Sequence, residues 1–174
     1  MASKYHKTIL VVDDEEDVRK YLSAALIGSG FDVIVAQDGF EALEQVKKHK
    51  PDLISLDLVM PKKSGAKFYH DLTKNKEWSK IPVLIVTGHA RDDLGKADLK
   101  NLTMSGPGVY LEKPVKPDNY IAAIKKLLNM DTTEEEKKLG DKIKLQSELK
   151  TMIDNADPEI LEKLKKIIKP DNEK

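Results

Sequence analysis

Five side chains able to do chemistry sit at or just after the end of short apolar runs: Asp13 and Asp14 after "ILVV", Asp57 after "LISL", Thr87 closing "VLIVT", and Lys113 after "VYLE". Taken singly, each has an ordinary explanation. Acids at a helix start favour the helix dipole, Asp57 could open a turn, Thr87 suits a strand, and Lys113 before Pro114 could be solvated. Gathered into one crevice, they would form three carboxylates, a hydroxyl and an ammonium. Carboxylates a few ångströms apart raise one another's pKa and cannot all stay ionised without a cation. A hard divalent ion such as Mg²⁺, taking oxygen ligands and keeping several waters, resolves that conflict. Its remaining positions suit phosphoryl oxygens, and a carboxylate is a competent phosphoryl acceptor, so the set points to phosphoryl transfer.

Gathering them requires a particular arrangement of elements. Apolar runs at Thr8–Val12, Phe31–Ala36, Asp52–Asp57, Pro82–Thr87 and Gly108–Leu111 read as buried strands, and amphipathic segments separate them. Val18, Tyr21, Leu22, Ala25 and Leu26 follow helical spacing, as do Gly65, Phe68, Tyr69 and Leu72, and then Ile121, Ile124, Leu127 and Leu128. Asp38 is a plausible N-cap of the second helix. Strands alternating with helices predict a doubly wound parallel sheet, in which ligands bind beyond the carboxyl ends of the strands. Residues 88–107 must hold the helix between the fourth and fifth strands, but Leu94, Ala97 and Leu102 make a poor apolar stripe, which marks it as a candidate moving part.

Composition narrows the function classes. The 174 residues are 40% hydrophobic with zero formal net charge, so a core is possible and no basic footprint for nucleic acid is evident. With no cysteine, disulfides and thiolate chemistry are excluded. No apolar run approaches the roughly 18 residues of a membrane span, and "MASKYHK" has no signal-peptide core. The expectation is a cytoplasmic protein with no nucleic-acid or membrane partner.

In order, spacing and type, "ILVVDDEED", "LISLDLVMPKKSG", "VLIVTGHA" and "VYLEKPVKP" resemble the receiver domain of two-component response regulators over residues 5–130. The resemblance implies a flavodoxin-like sheet of strand order 2-1-3-4-5. It makes Asp57 the phosphoacceptor, charged by a sensor histidine kinase or phosphotransfer protein. It implies Mg²⁺ held by Asp13, Asp14, Asp57 and the Val59 backbone carbonyl, with Asp13 acting largely through water. Lys113, before a cis Pro114, would pair with the phosphoryl group. Thr87 would move to bond a phosphoryl oxygen, and Tyr110 would swing inward behind it. Val59 and His89 would tune the phosphoryl lifetime. An apolar Val59 cannot position an attacking water, so slow self-dephosphorylation is expected and no further enzymatic turnover.

Residues 131–174 differ in character from residues 1–130: they lack aromatics and hold one glycine, with 12 acids and 10 bases. Thr133 with Glu136 offers a capping box for a helix to about Asn155, and Asp157 with Pro158 opens another ending at Pro170. The division expected is a receiver over 1–130 and a helical hairpin over 131–174, used for homodimerisation or a protein target, or simply covering the receiver. The tail is a poor DNA reader. The competing function is a Mg²⁺-dependent phosphohydrolase with an aspartyl nucleophile. Haloacid-dehalogenase-type phosphatases carry Asp-x-Asp after strand 1, whereas here the acids are adjacent and Asp57 follows strand 3. A flavin-binding alternative would need hydroxyl and glycine donors in the loop after strand 1, where acids stand.

Overall fold

The computed structural model describes residues 5–60, 62, 64–88, 109–130, 133–157, 159, 161 and 162. The helix expected within 88–107, together with His89, lies outside the described residues, as does most of the helix expected after Asp157. In chain order the elements are β1 (Thr8–Val12), α1 (Glu16–Gly28), β2 (Asp32–Ala36), α2 (Gly39–His49), β3 (Leu53–Leu56), α3 (Gly65–Lys74), a 3₁₀ turn (Trp78–Lys80), β4 (Val83–Thr87), β5 (Val109–Glu112), α4 (Pro117–Leu127) and α5 (Glu134–Asn155).

All strand pairings are parallel, in the order β2-β1-β3-β4-β5, so the expected topology is the one found. The sequence of β1 shows why both faces must be covered. Side chains alternate across a strand, and every residue from Ile9 to Val12 is apolar and buried. Ile9 and Val11 pack with Leu22 and Leu26 of α1 and Tyr120, Ile121 and Ile124 of α4 on one face. Leu10 and Val12 pack with Ala42 and Val46 of α2 and Phe68, Tyr69 and Leu72 of α3 on the other.

Local signals set the helix ends. Asp38 caps α2 by accepting from the Phe40 and Glu41 N–H groups at 2.9 and 3.0 Å, and those bonds, Glu41's foremost, hold its pKa below the usual carboxylate value. Pro117 occupies the first turn of α4, where its missing N–H costs nothing. Thr133 and Glu136 form the reciprocal capping box that opens α5, and α5 ends at Asn155. Beyond it the Asp157 carboxylate accepts from Glu159 N–H at 2.9 Å and its carbonyl from Leu161 N–H, as an N-cap does.

Helix α5 does not stand apart from the sheet. Lys125 and Lys126, in the last turn of α4, pair with Glu136 (2.6 Å) and Asp141 of α5. Ile143 is buried in the same apolar cluster as Ile121 and Ile124, with Leu139 packed against it. Farther along, Ser147 and Lys150 reach β5. Truncation by Ile143→Ala is expected to remove about 2 kcal/mol from the docking of this helix. The readout is faster amide exchange across 134–155 with protection of β1 and β3 unchanged. Equal exchange in both proteins would mean that Ile143 does not anchor α5. The opposite side of α5 presents Leu145, Leu149, Met152 and Ile153 to solvent as an apolar stripe. Among the described residues, no helix is long and apolar enough to cross a membrane.

Candidate phosphoacceptor site

The parallel sheet brings the carboxyl ends of β1, β3, β4 and β5 to one edge, and the five residues named from the sequence meet there. Asp13 and Asp14 follow β1, Asp57 follows β3, Thr87 ends β4 and Lys113 follows β5. Asp13, Asp14 and Asp57 each offer a carboxylate oxygen, all within 4.8 Å of one another. Asp13 and Asp57 are buried; Asp14 is the more accessible of the three.

The Lys113 ammonium donates to both buried carboxylates, at 2.8 Å to Asp13 Oδ2 and 2.8 Å to Asp57 Oδ2, with Glu15 Oε1 at 3.5 Å. The far oxygens are occupied as well. Asp13 Oδ1 accepts from Glu15 N–H and Asp57 Oδ1 from Val59 N–H, both at 3.0 Å. Each buried carboxylate is therefore fixed at both ends and can rotate little. Burial raises the Asp13 pKa, and the Lys113 hydrogen bond and charge only partly offset it. Burial works against the Lys113 charge too, but the two carboxylates outweigh it and raise its pKa, so it stays protonated at any physiological pH.

One ammonium cannot balance three carboxylates. The donor set is all oxygen, hard and clustered, which fits a small divalent cation such as Mg²⁺. Thr87 is fully buried, and its hydroxyl has no hydrogen-bond partner among the described residues. An unmet buried hydroxyl costs about 1–3 kcal/mol. Tyr110 is half-buried, with the Lys150 ammonium 4.7 Å from its ring centre. The Lys113–Pro114 bond is cis, as expected.

Two contributors were not singled out in the sequence. The Arg19 guanidinium donates to the Asp13 carbonyl at 2.7 Å and the Asp14 carbonyl at 2.9 Å, bracing the acidic loop. Its targets are backbone oxygens, which every residue carries, so nothing in the residue types marks the contact. Gly65, read only as part of an amphipathic stripe, packs on the Asp57 backbone: a Cβ there would lie 1.9 Å from the Asp57 carbonyl oxygen. A glycine opening α3 just after the loop that follows Asp57 was the available signal.

A parallel sheet of this order with an acidic cluster and a lysine at its carboxyl edge defines a receiver-type α/β protein. The family model for the response regulator receiver domain matches residues 9–125, and the chain belongs to that family. Its relatives include the polar-differentiation response regulator DivK of Brucella anthropi, 32% identical over 122 residues that span 70% of this chain and 96% of that protein. The alkaline phosphatase synthesis transcriptional regulatory protein PhoP of Bacillus subtilis is 39% identical over 123 residues, 71% of this chain but 49% of that one. In structure, the signal receiver domain of a response regulator from Bermanella marisrubri matches with a TM-score of 0.62 at 33% identity, covering 71% of this chain and 99% of that one. These likenesses favour a two-component signalling receiver over the phosphohydrolase considered above.

Proposed function

We propose that this chain is a phosphorylated switch of a two-component relay, with Asp57 accepting the phosphoryl group of a histidine kinase or phosphotransfer protein. The observation that carries the reading is the immobilised Asp57 carboxylate, held by Lys113 and Val59 beside two further acids. In the transfer an Asp57 oxygen attacks phosphorus, the P–N bond to the donor imidazole breaks, and the imidazole leaves with the electron pair and takes a proton from solvent.

Asp13, Asp14, Asp57 and the Val59 carbonyl would hold Mg²⁺. When bound, that ion neutralises charge on the carboxylates and the phosphoryl oxygens. Lys113 keeps its charge in the cleft and is placed to follow the phosphoryl group as its contact with Asp57 is replaced. Thr87 supplies the waiting hydroxyl, and the gain of that bond favours the conformation in which β4 and β5 close on the site. Tyr110, on the strand beside Thr87, would follow it inward. Residues 1–130 form the receiver in this reading. Residues 131–174 are an appendage in this reading, and the exposed Leu145, Leu149, Met152 and Ile153 of its helix α5 support association with a second copy or a protein target.

The test is intact mass after incubation with Mg²⁺ and a small acyl phosphate. The wild type is expected to gain one phosphoryl group and Asp57→Ala none. A gain in the variant, or none in either, would remove the assignment.

A further inference from the structure

The tail reaches the residues expected to switch. Ser147 Oγ accepts from Tyr110 N–H at 3.2 Å, on the edge of β5 that no strand covers among the described residues. The Lys150 ammonium stands 4.7 Å from the Tyr110 ring centre and 2.7 Å from Glu112 Oε2. Tyr110 and Glu112 are two residues apart and so share a face of β5, which lets one lysine hold both. These contacts connect directly to the site. Glu112 is the register partner of Thr87, and Lys113 N–H donates to the Thr87 carbonyl at 3.1 Å. A displacement of Thr87 toward an incoming phosphoryl oxygen therefore moves the end of β5 to which Lys150 is attached.

The two halves of α5 are held by different means. The first half has a buried anchor, Ile143, and the ion pairs of Glu136 and Asp141 with α4. The second half meets β5 through Ser147 and Lys150, and its apolar residues Leu149, Met152 and Ile153 face solvent. Polar contacts to a strand that moves are the part of the interface that yields first.

We propose that α5 is an internal partner of the β5 edge: Ser147 and Lys150 are positioning residues that hold Tyr110 and Glu112 in the unloaded arrangement, and loading of Asp57 releases the second half of the helix. A downstream partner then meets this edge covered in the unloaded protein and open in the loaded one. Because coupling is reciprocal, weakening the helix contact strengthens binding at Asp57. The inference rests on the phosphoacceptor reading above.

The probe is beryllium fluoride with Mg²⁺, a tetrahedral mimic of a phosphoryl group on a carboxylate, applied to the full chain. In the wild type, amide exchange over 147–155 is expected to quicken by about 5-fold on saturation, with 136–143 unchanged. Ser147→Ala and Lys150→Ala are each expected to lower the half-saturating probe concentration, by about 5-fold for Lys150→Ala. Lys150→Arg should return it toward the wild-type value. Lys144→Ala, on the same helix with its ammonium 3.9 Å from Glu148 Oε1, should leave it unchanged. Probe binding that is equal in wild type and variants, with α5 exchange unaltered, would overturn the coupling alone. A wild type that binds no probe would overturn the phosphoacceptor reading and this proposal with it.

Discussion

Replacing Lys113 with methionine is expected to destabilise the metal-free protein by roughly 3 kcal/mol at neutral pH, with a deficit that shrinks as pH falls. The stem keeps its volume, but two carboxylates exposed by only 1% and 5% lose the ammonium that both contact at 2.8 Å. Breaking a buried pair leaves uncompensated charge, which costs far more than the net worth of the pair. The pH dependence follows from Asp13. Burial already raises its folded pKa, and the variant removes the Lys113 contributions that oppose the shift. A carboxyl whose pKa is higher in the folded than in the unfolded chain costs stability above its folded pKa and nothing below its unfolded one. The deficit is therefore complete near neutrality and narrows from the raised Asp13 pKa downward toward the ordinary value of 3.8. Urea unfolding of both proteins at several pH values between about 4 and 7.5 measures this window. A deficit that is absent, or identical at every pH, would show that Lys113 does not neutralise the buried acids.

The second large effect is at Gly65. A methyl group there would sit 1.9 Å from the Asp57 carbonyl oxygen and 2.8 Å from both the Asp57 carbonyl carbon and the Leu58 Cα. All three are backbone atoms just beyond β3, so no flexible side chain can turn aside, and this segment and α3 must separate. Gly65→Ala is expected to cost about 3 kcal/mol or more. If Asp57 accepts the phosphoryl group as proposed, the variant should also slow phosphoryl uptake by the fraction that remains folded, because the Asp57 peptide is what moves. Gly28→Ala is the control: it meets nothing within 4 Å and should be near neutral. If Gly65→Ala unfolds at the same urea concentration as the wild type, the contact is not a constraint.

Much of the site is legible in the sequence because the fold is periodic. Strands of a parallel sheet point one way, so the residue after each apolar run must lie at one edge. That rule alone places Asp13, Asp57, Thr87 and Lys113 together, as observed. Residue type then names the chemistry. The acidic run "DDEED" also divides: Asp13 turns into the cleft, Asp14 borders it, and Glu16 and Asp17 lie in the first turn of α1, where the helix dipole favours them. Caps are equally local, which is why Asp38 and the Thr133–Glu136 box perform as read.

Contacts between distant segments that depend on shape or on backbone atoms are not legible in this way. Arg19 finds two carbonyl oxygens and Gly65 makes room for one, and neither feature has a periodicity or a partner type to betray it. The placement of α5 is the larger case. Its residues show that it is a helix, with its beginning and end, but a helix with Ile143 on one side and Leu145 and Leu149 on the other could pair with another copy, a hairpin partner or the receiver. The sequence by itself determined the parallel sheet and the gathering of acids, hydroxyl and lysine at its carboxyl edge, because those follow from local patterning repeated along the chain, while the strand order came from the resemblance to receiver domains. Only the tertiary structure decided that Ile143 is the side that docks and that Ser147 and Lys150 close on Tyr110 and Glu112. Several faces of similar polarity compete for burial, and three-dimensional fit alone selects among them.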